Sequence, residues 1–322
     1  MAELPALVAP DSFKGTFSAR EVASAVSRGL RAAGREAEEL PVADGGEGTI
    51  DVLLSTLDAE LREARVTDPL GRPLDASFAL IDGGRTAVVE MARASGLGLV
   101  AEHERDAWAA STRGTGELIA AAVEAGAERV IVTVGGSATT DGGAGALEAL
   151  AGRSVEMDVL CDVRTPFEDA ARVFGPQKGA DADLVRKLEE RLDRLAQTFR
   201  HDPRGEPMTG CAGGLSGALW SEHGAQLRHG PTFVLGALGF DERMRAAAFV
   251  VTGEGRIDEQ TLQGKLVGEV ATRCRQAGVP CHVVVGRIDL DPFSQRILDF
   301  ASLSEATTLE ELEEAGRRLV DS

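Results

Sequence analysis

Residues 130–145 have the sequence V-I-V-T-V-G-G-S-A-T-T-D-G-G-A-G. The first five residues are β-branched and predict a short buried strand. The glycine-rich loop that follows, residues 135–143, offers backbone N–H groups that no side chain covers, together with three hydroxyls and the carboxylate of Asp141. Such a loop suits an anion beside a metal cation, and it also suits a tight turn with glycines at positive φ. The first interpretation gains support because the pattern recurs at other strand ends.

Two apolar segments near the N-terminus end in similar polar loops. Segment 4–9 is followed by P-D-S-F-K-G at 10–15, and segment 39–42 is followed by A-D-G-G-E-G-T at 43–49. Ser18 and Glu21 have capping-box spacing, which predicts a helix between the two strands. Since binding residues collect at the carboxyl ends of strands in parallel sheets, we expect a ligand site at these loops.

The middle of the chain differs in character from its two ends. Short alternating segments between about 63 and 91, separated by the turns 68–73 and 82–84, predict antiparallel strands. Residues 248–252 predict a buried strand that again ends in a polar loop, as the strands near the N-terminus do. This pattern is typical of a parallel α/β sheet. We therefore predict an α/β protein of two domains. One is a Rossmann-like parallel-sheet domain built from residues 1–66 and 246–322, and the other is an inserted mixed α/β domain of residues 67–245.

Composition excludes several classes of function. The formal net charge of the 322 residues is −18, which argues against nucleic acid or an anionic membrane surface as partner. The four cysteines show no zinc spacing, no C-x-x-C pair occurs, and no apolar run is long enough to span a membrane. We expect a cytoplasmic protein with reduced, buried thiols that acts on a small molecule.

The familiar nucleotide-binding motifs are absent. Gly264 and Lys265 form a Gly–Lys pair, but Glu259 stands where a P-loop needs its first glycine. Gly143 and Gly145 begin a G-x-G whose third glycine position is Glu148. What remains is a set of carboxylates and lysines in loops. Each is compatible with a solvated surface residue, but together they suit phosphoryl transfer, which needs positioning and charge neutralisation more than covalent chemistry.

Seven strings, in chain order, resemble the bacterial type I glycerate kinases. They are A-P-D-S-F-K-G (9–15), P-V-A-D-G-G-E-G-T (41–49), V-E-M-A-R-A-S-G-L (89–97), G-G-S-A-T-T-D-G-G (135–143), F-G-P-Q-K-G-A (174–180), A-G-G-L (212–215) and T-G-E-G-R-I-D (252–258). The chain departs from the family at Thr140, where Asn is usual, and it has a shorter segment between the glycine-rich loop and Asp162.

The resemblance implies phosphorylation of D-glycerate by ATP with Mg²⁺, usually at the 2-hydroxyl, in a cleft between two α/β domains. On that basis we expect Lys14 and Lys265 to bind phosphate oxygens, and Asp44 or Asp141 to activate the hydroxyl. We expect metal ligands among Asp162, Glu254 and Asp258. The remaining predicted binding residues are Asp11, Ser12, Gly45, Gly46, Glu47, Gly135, Gly136, Ser137, Thr139, Lys178 and Arg256.

Several alternatives stay open at this point. The acceptor could be another small hydroxy acid, or the product 3-phosphoglycerate. A phosphatase or isomerase of phosphorylated sugar acids would use the same anion loops without ATP, and a two-domain binding protein would need no chemistry. The protein is expected to be a monomer or a homodimer.

Overall fold

A computed structural model describes residues 4–262 and 265–320, so Gly264 of the Gly–Lys pair lies outside the described residues. The chain forms two compact units. Unit 1 consists of Met1–Asp44 and Pro231–Ser322, and unit 2 consists of Gly45–Gly230. Within the described residues, no helix has both the length and the apolar character needed to cross a membrane.

The strands, in chain order, are β1 (Ala6–Val8), β2 (Ala37–Glu39), β3 (Glu60–Thr67), β4 (Pro73–Ile81), β5 (Thr86–Glu90), β6 (Arg129–Thr133), β7 (Glu156–Cys161), β8 (Gln226–His229), β9 (Phe249–Thr252), β10 (Cys281–Val285) and β11 (Ser302–Glu305).

The α-helices are α1 (Ala19–Ala32), α2 (Thr49–Thr56), α3 (Ala92–Ser95), α4 (Arg113–Glu124), α5 (Ala144–Leu150), α6 (Ala170–Phe174), α7 (Ala182–Ala196), α8 (Leu215–His223), α9 (Gly230–Ala237), α10 (Phe240–Arg245), α11 (Glu259–Leu262), α12 (Leu266–Ala277), α13 (Pro292–Leu298) and α14 (Leu309–Arg318).

Unit 1 is built on a parallel sheet with the strand order β11-β10-β9-β1-β2. Helix α1 begins with the predicted capping box, in which Ser18 and Glu21 exchange hydrogen bonds. Helices α1 and α14 pack closely because Gly29 faces the backbone of α14, where a Cβ would lie 1.8 Å from the carbonyl oxygen of Glu313. The two ends of the chain therefore share one core, as the Rossmann-like prediction requires.

Unit 2 is built on a mixed sheet with the strand order β3-β4-β5-β6-β7-β8. Strands β3, β4 and β5 pair antiparallel, whereas β5 to β8 pair parallel. The β-branched segment predicted from residues 130–134 forms the buried strand β6 in the middle of this sheet. The predicted fold class, α/β with one parallel and one mixed sheet, is confirmed.

The division between the units lies at different residues from the sequence-based boundaries of 66/67 and 245/246. Strand β3 pairs with β4 along its whole length, from Glu60 opposite Leu80 to Thr67 opposite Pro73, so it lies in unit 2. At the other boundary, Asp241 of α10 forms a 3.1 Å ion pair with Arg273 of α12, which ties α10 to unit 1.

Candidate functional site

Loops at the carboxyl ends of β1, β9 and β10 surround a cavity of about 380 Å³ in unit 1. The loops approach one another closely, because a Cβ on Gly253 would lie 1.9 Å from the carbonyl oxygen of Val284 and one on Gly286 would lie 2.6 Å from that of Gly255. Gly255 and Gly286 are among the residues that line the cavity. Its charged lining residues are Asp11, Lys14, Asp44, Glu254, Arg256, Asp258 and Lys265, and Ser12 also lines it.

Two lysines supply positive charge to this cavity. The Lys14 ammonium donates to a carboxylate oxygen of Asp44 at 2.7 Å, and the side chain of Lys14 is 60% exposed whereas that of Asp44 is 8% exposed. Lys265 Nζ lies 3.8 Å from Asp258 Oδ1. Lys265 is also the N-cap of α12, and within the described residues its side chain makes no capping hydrogen bond. Together, the helix N-terminus and the lysines make a favourable environment for a phosphate group.

Two carboxyl groups that line the same cavity, those of the buried Asp11 and the half-buried Glu254, have raised pKa values. Burial, reinforced by the nearby Asp44, raises the pKa of Asp11 well above its usual range. Burial also raises the pKa of Glu254 to about 7, against the opposing effects of the Thr261 hydroxyl, which donates to Glu254 Oε1 at 2.9 Å, and of Lys265. Glu254 therefore exchanges a proton near neutral pH.

Arg256 lies at the rim of the cavity in a network that the sequence analysis did not find. Its Nε lies 2.6 Å from Asp289 Oδ2 and 3.9 Å from Asp258 Oδ2. Asp289 belongs to G-R-I-D at 286–289, a repeat of G-R-I-D at 255–258. The two copies lie side by side, since Ile257 forms a parallel bridge with Ile288. The repeated string was the signal that could have revealed Asp289 and Gly286.

The predicted metal ligands belong to different units of the chain. Glu254 and Asp258 line the unit 1 cavity, whereas Asp162 follows β7 in unit 2. In the part of the chain that the structure describes, no three His, Cys, Asp or Glu side chains form a group that could hold a metal. One or two carboxylates with nucleotide phosphates suffice for Mg²⁺, so Glu254 and Asp258 fit a metal that arrives with a nucleotide.

In unit 2, the glycine-rich loop 135–143 has an accessible tip and a buried remainder. Gly136 is exposed and Gly135 and Ser137 are half-buried, whereas residues 138–143 are buried. The buried part packs tightly: a Cβ on Gly143, whose φ is +77°, would lie 2.5 Å from the Cβ of Ala218. Only the tip of the predicted anion loop is open to a ligand in this unit, and Thr139 is fully buried.

The carboxylate of Asp141 accepts several hydrogen bonds that hold this loop in place. Its Oδ2 accepts from the N–H and the hydroxyl of Thr112 at 2.8 and 2.9 Å and from the N–H of Gly145 at 3.2 Å, and its Oδ1 accepts from the N–H of Gly143 at 3.1 Å. The residue is only 1% exposed. A carboxylate with so many donors has little remaining capacity to accept a proton from a substrate hydroxyl.

Lys178, predicted to bind ligand, is buried in unit 2. Its Nζ donates to the carbonyl oxygen of Thr139 at 2.5 Å, and its side chain belongs to the least exposed in the protein. Burial lowers its pKa to about 7, against the opposing effects of Asp141 and Cys211. Lys178 therefore supports the loop from within.

The predicted residues Gly45, Gly46 and Glu47 lie beside the tip of the same loop. A Cβ on Gly135 would lie 2.8 Å from Gly46 Cα, and one on Gly136 would lie 3.2 Å from Glu47 Oε2. The segment is held by the buried carboxylate of Glu90, which accepts from the N–H of Thr49 at 3.0 Å. Glu90 belongs to the string V-E-M-A at 89–92, which gives no local indication of this contact.

Comparison with known proteins gives consistent results. The family model described as the glycerate kinase family matches residues 6–155 and 151–320. The two matched ranges meet between the glycine-rich loop and Asp162, where we expected a shortened segment. Glycerate kinase of Bacillus subtilis (strain 168) is 41% identical, over 88% of this chain and 85% of that protein.

Two further matches cover almost the whole chain. Glycerate 2-kinase of Escherichia coli (strain K12) is 36% identical, over 98% of this chain and 94% of that protein. A crystal structure assigned to glycerate kinase 2 from Salmonella typhimurium LT2 superposes with a TM-score of 0.82 at 32% identity, covering 99% of this chain and 98% of that chain.

Proposed function

Because this chain belongs to the glycerate kinase family, a family of phosphotransferases, we propose that it transfers a phosphoryl group from ATP to the 2-hydroxyl of D-glycerate and releases 2-phosphoglycerate. The reaction is a direct in-line displacement, in which the hydroxyl oxygen forms a bond to the γ-phosphorus as the bond to ADP breaks.

The observation that carries this proposal is the unit 1 cavity, where Lys14, Lys265 and the start of α12 face the same space. Phosphoryl transfer depends on donors that hold the phosphate oxygens and neutralise their charge. We assign phosphate binding to these two lysines and to the N–H groups at the start of α12. Ser12 and the backbone of Gly255 complete the lining.

Asp44 is our choice of base for the acceptor hydroxyl. It lies next to Lys14 in the cavity, and its side chain is 8% exposed. The sequence left Asp44 and Asp141 as alternatives, but the hydrogen bonds at Asp141 favour a structural role for that residue. A base must also lie within hydrogen-bond reach of the proton that it removes.

The residues of the cavity also fit Mg²⁺, which supplies charge neutralisation across the transferred phosphates when bound. Glu254 and Asp258 are the carboxylates that would hold it. Without a cation, four carboxylates in a single cavity would repel a nucleotide. Below neutral pH, protonation of Glu254, whose pKa is about 7, removes one negative charge from this set.

For the carboxylate of the acid we propose the backbone N–H groups of the accessible loop tip, Gly135 to Ser137. We also propose a cytoplasmic location, since a kinase of a small metabolite needs ATP and since the four cysteines, all buried, are free thiols, as is usual in a reducing compartment.

Phosphorus NMR of the reaction products tests this proposal. Protein, Mg²⁺, ATP and D-glycerate should yield ADP and 2-phosphoglycerate in equal amounts, and omission of the acid should abolish ADP formation. A 3-phosphoglycerate signal would show that the 3-hydroxyl, and not the 2-hydroxyl, is phosphorylated. ATP that stays intact with every hydroxy acid tried would contradict the kinase and leave a phosphatase, an isomerase or a binding protein.

A further inference from the structure

Lys178 differs from the other lysines of the chain. Lys14 and Lys187 are exposed and Lys265 is partly so, whereas Lys178 is 1% exposed inside unit 2. An ammonium group has three N–H donors. Among the described residues, the one acceptor of Lys178 Nζ is the carbonyl oxygen of Thr139, at 2.5 Å.

Burial of this group is costly to the folded state. Desolvation lowers the pKa of Lys178 to about 7, and the groups facing it, the Asp141 carboxylate and the Cys211 thiol, compensate only in part. The neighbouring Gly179 packs against the backbone of Arg105, where a Cβ would lie 3.2 Å from the Arg105 carbonyl oxygen. A methionine of similar length would avoid the desolvation cost but would leave the buried carbonyl oxygen of Thr139 without its donor.

The contact of Lys178 lies at the joint between the two parts of the glycine-rich loop. On one side of Thr139 is the accessible tip, Gly135 to Ser137, and on the other is Asp141, which the donors of Thr112, Gly143 and Gly145 hold in place. The Thr139 hydroxyl donates to the carbonyl oxygen of Ala212 at a long 3.5 Å. Within the described residues, the buried hydroxyl of Thr140 has no partner.

We propose that Lys178 is a positioning residue, which holds the Thr139 carbonyl and thereby sets the conformation of the loop tip for an anionic hydroxy-acid substrate. Asp141 holds the loop by accepting from backbone N–H groups. Lys178 holds it by donating to a backbone carbonyl oxygen. This inference rests on the proposed function for its substrate, but the loop conformation itself is independent of it.

The test compares Lys178→Met with the matched variant Lys187→Met, which alters an exposed lysine on α7. Backbone hydrogen exchange of residues 137–143 reports the loop directly. Lys178→Met should speed exchange there at least about tenfold and raise the KM for D-glycerate about 10- to 100-fold, with a small change in the KM for ATP. Lys187→Met should match the wild type in both.

The pH dependence of unfolding gives a second readout. An unfolded lysine has a pKa near 10.4, so between about pH 7 and pH 10 the folded protein binds fewer protons than the unfolded chain. The cost of burying Lys178 is therefore complete below pH 7 and is relieved as the pH rises. The urea midpoint of the wild type should rise from pH 7 to pH 9 relative to that of Lys178→Met.

Each outcome decides something. Unchanged exchange at residues 137–143 in Lys178→Met would overturn the proposal, and so would a parallel pH dependence of the two urea midpoints. A larger rise in the KM for ATP than in the KM for D-glycerate would also overturn it, because it would indicate direct contact with the nucleotide. A wild type that leaves ATP intact refutes the proposed function, whereas the exchange and unfolding results still test Lys178.

Discussion

The strand-end loops of unit 1 and the glycine-rich loop of unit 2 have the same kind of sequence and different environments. In unit 1, Asp11 and Glu254 face a cavity of about 380 Å³. In unit 2, Asp141 is buried and accepts from the backbone and hydroxyl groups around it. A carboxylate in a glycine-rich loop can therefore either bind a ligand or stabilise the loop itself.

The start of the following helix accounts for much of the difference. Helix α5 begins just after Asp141, whose carboxylate takes the N–H groups of Gly143 and Gly145. Helix α12 begins after Lys265, which has no acceptor to offer. An acidic residue at a helix start satisfies the free N–H donors, whereas a lysine leaves them to an anionic ligand.

Removal of the Asp141 carboxylate should have the largest effect on stability. Asp141→Ala leaves the buried N–H donors of Thr112, Gly143 and Gly145 without an acceptor, so the free energy of unfolding should fall by about 3–5 kcal/mol. Urea unfolding measures this. Asp183→Ala, at an exposed carboxylate on α7, should change it by less than about 0.5 kcal/mol. A stable but inactive Asp141→Ala would restore Asp141 as the base.

Asp44→Asn should show the reverse behaviour, with lost activity and retained stability. The amide keeps the shape of the side chain but cannot accept the hydroxyl proton, so kcat should fall about 100-fold, equivalent to about 2.7 kcal/mol in the barrier. A coupled ATP assay with D-glycerate measures kcat. Asp75→Asn, in an exposed ion pair with Arg65, serves as the control. Wild-type turnover in Asp44→Asn would exclude Asp44 as the base.

Glu254→Gln should produce a pH-dependent change. The folded-state pKa of Glu254 is raised from 4.5 to about 7, so the folded protein binds more protons than the unfolded chain in that window and loses stability as the pH rises through it. Glutamine does not titrate. Relative to the wild type, Glu254→Gln should therefore be about 2–3 kcal/mol more stable at pH 8 than at pH 4.5.

Urea unfolding at both pH values checks this expectation, with Glu259→Gln, at an exposed position on α11, as the control. An equal difference between Glu254→Gln and the wild type at pH 4.5 and pH 8 would contradict the raised pKa. It would place Glu254 with the ordinary surface carboxylates and weaken the contrast between the two regions.

The features of the fold that depend on short-range interactions could be predicted from the sequence. The bonds between Ser18 and Glu21 span three residues. Such caps depend only on neighbouring residues, so their spacing is visible in the chain. The buried strand at 130–134 was predictable for the same reason, because local apolar character indicates burial.

Interactions between distant residues were not predictable. The Asp141 carboxylate accepts a hydrogen bond from Thr112, which lies 29 residues earlier in the chain. The Lys178 ammonium donates to the carbonyl oxygen of Thr139, which lies 39 residues earlier. Neither pairing leaves a local pattern, so the sequence did not reveal these contacts. The bounds of strand β3 depend on its pairing with β4, a contact that no local pattern of residues 60–67 reveals.

The most direct test of the account is the double variant Lys14→Ala, Lys265→Ala, assayed for ATP consumption that depends on D-glycerate. If the unit 1 cavity holds the phosphates, turnover should fall at least about 100-fold, while Lys187→Ala retains wild-type turnover. Wild-type kcat and KM for ATP in the double variant would contradict the assignment of the phosphate site to this cavity.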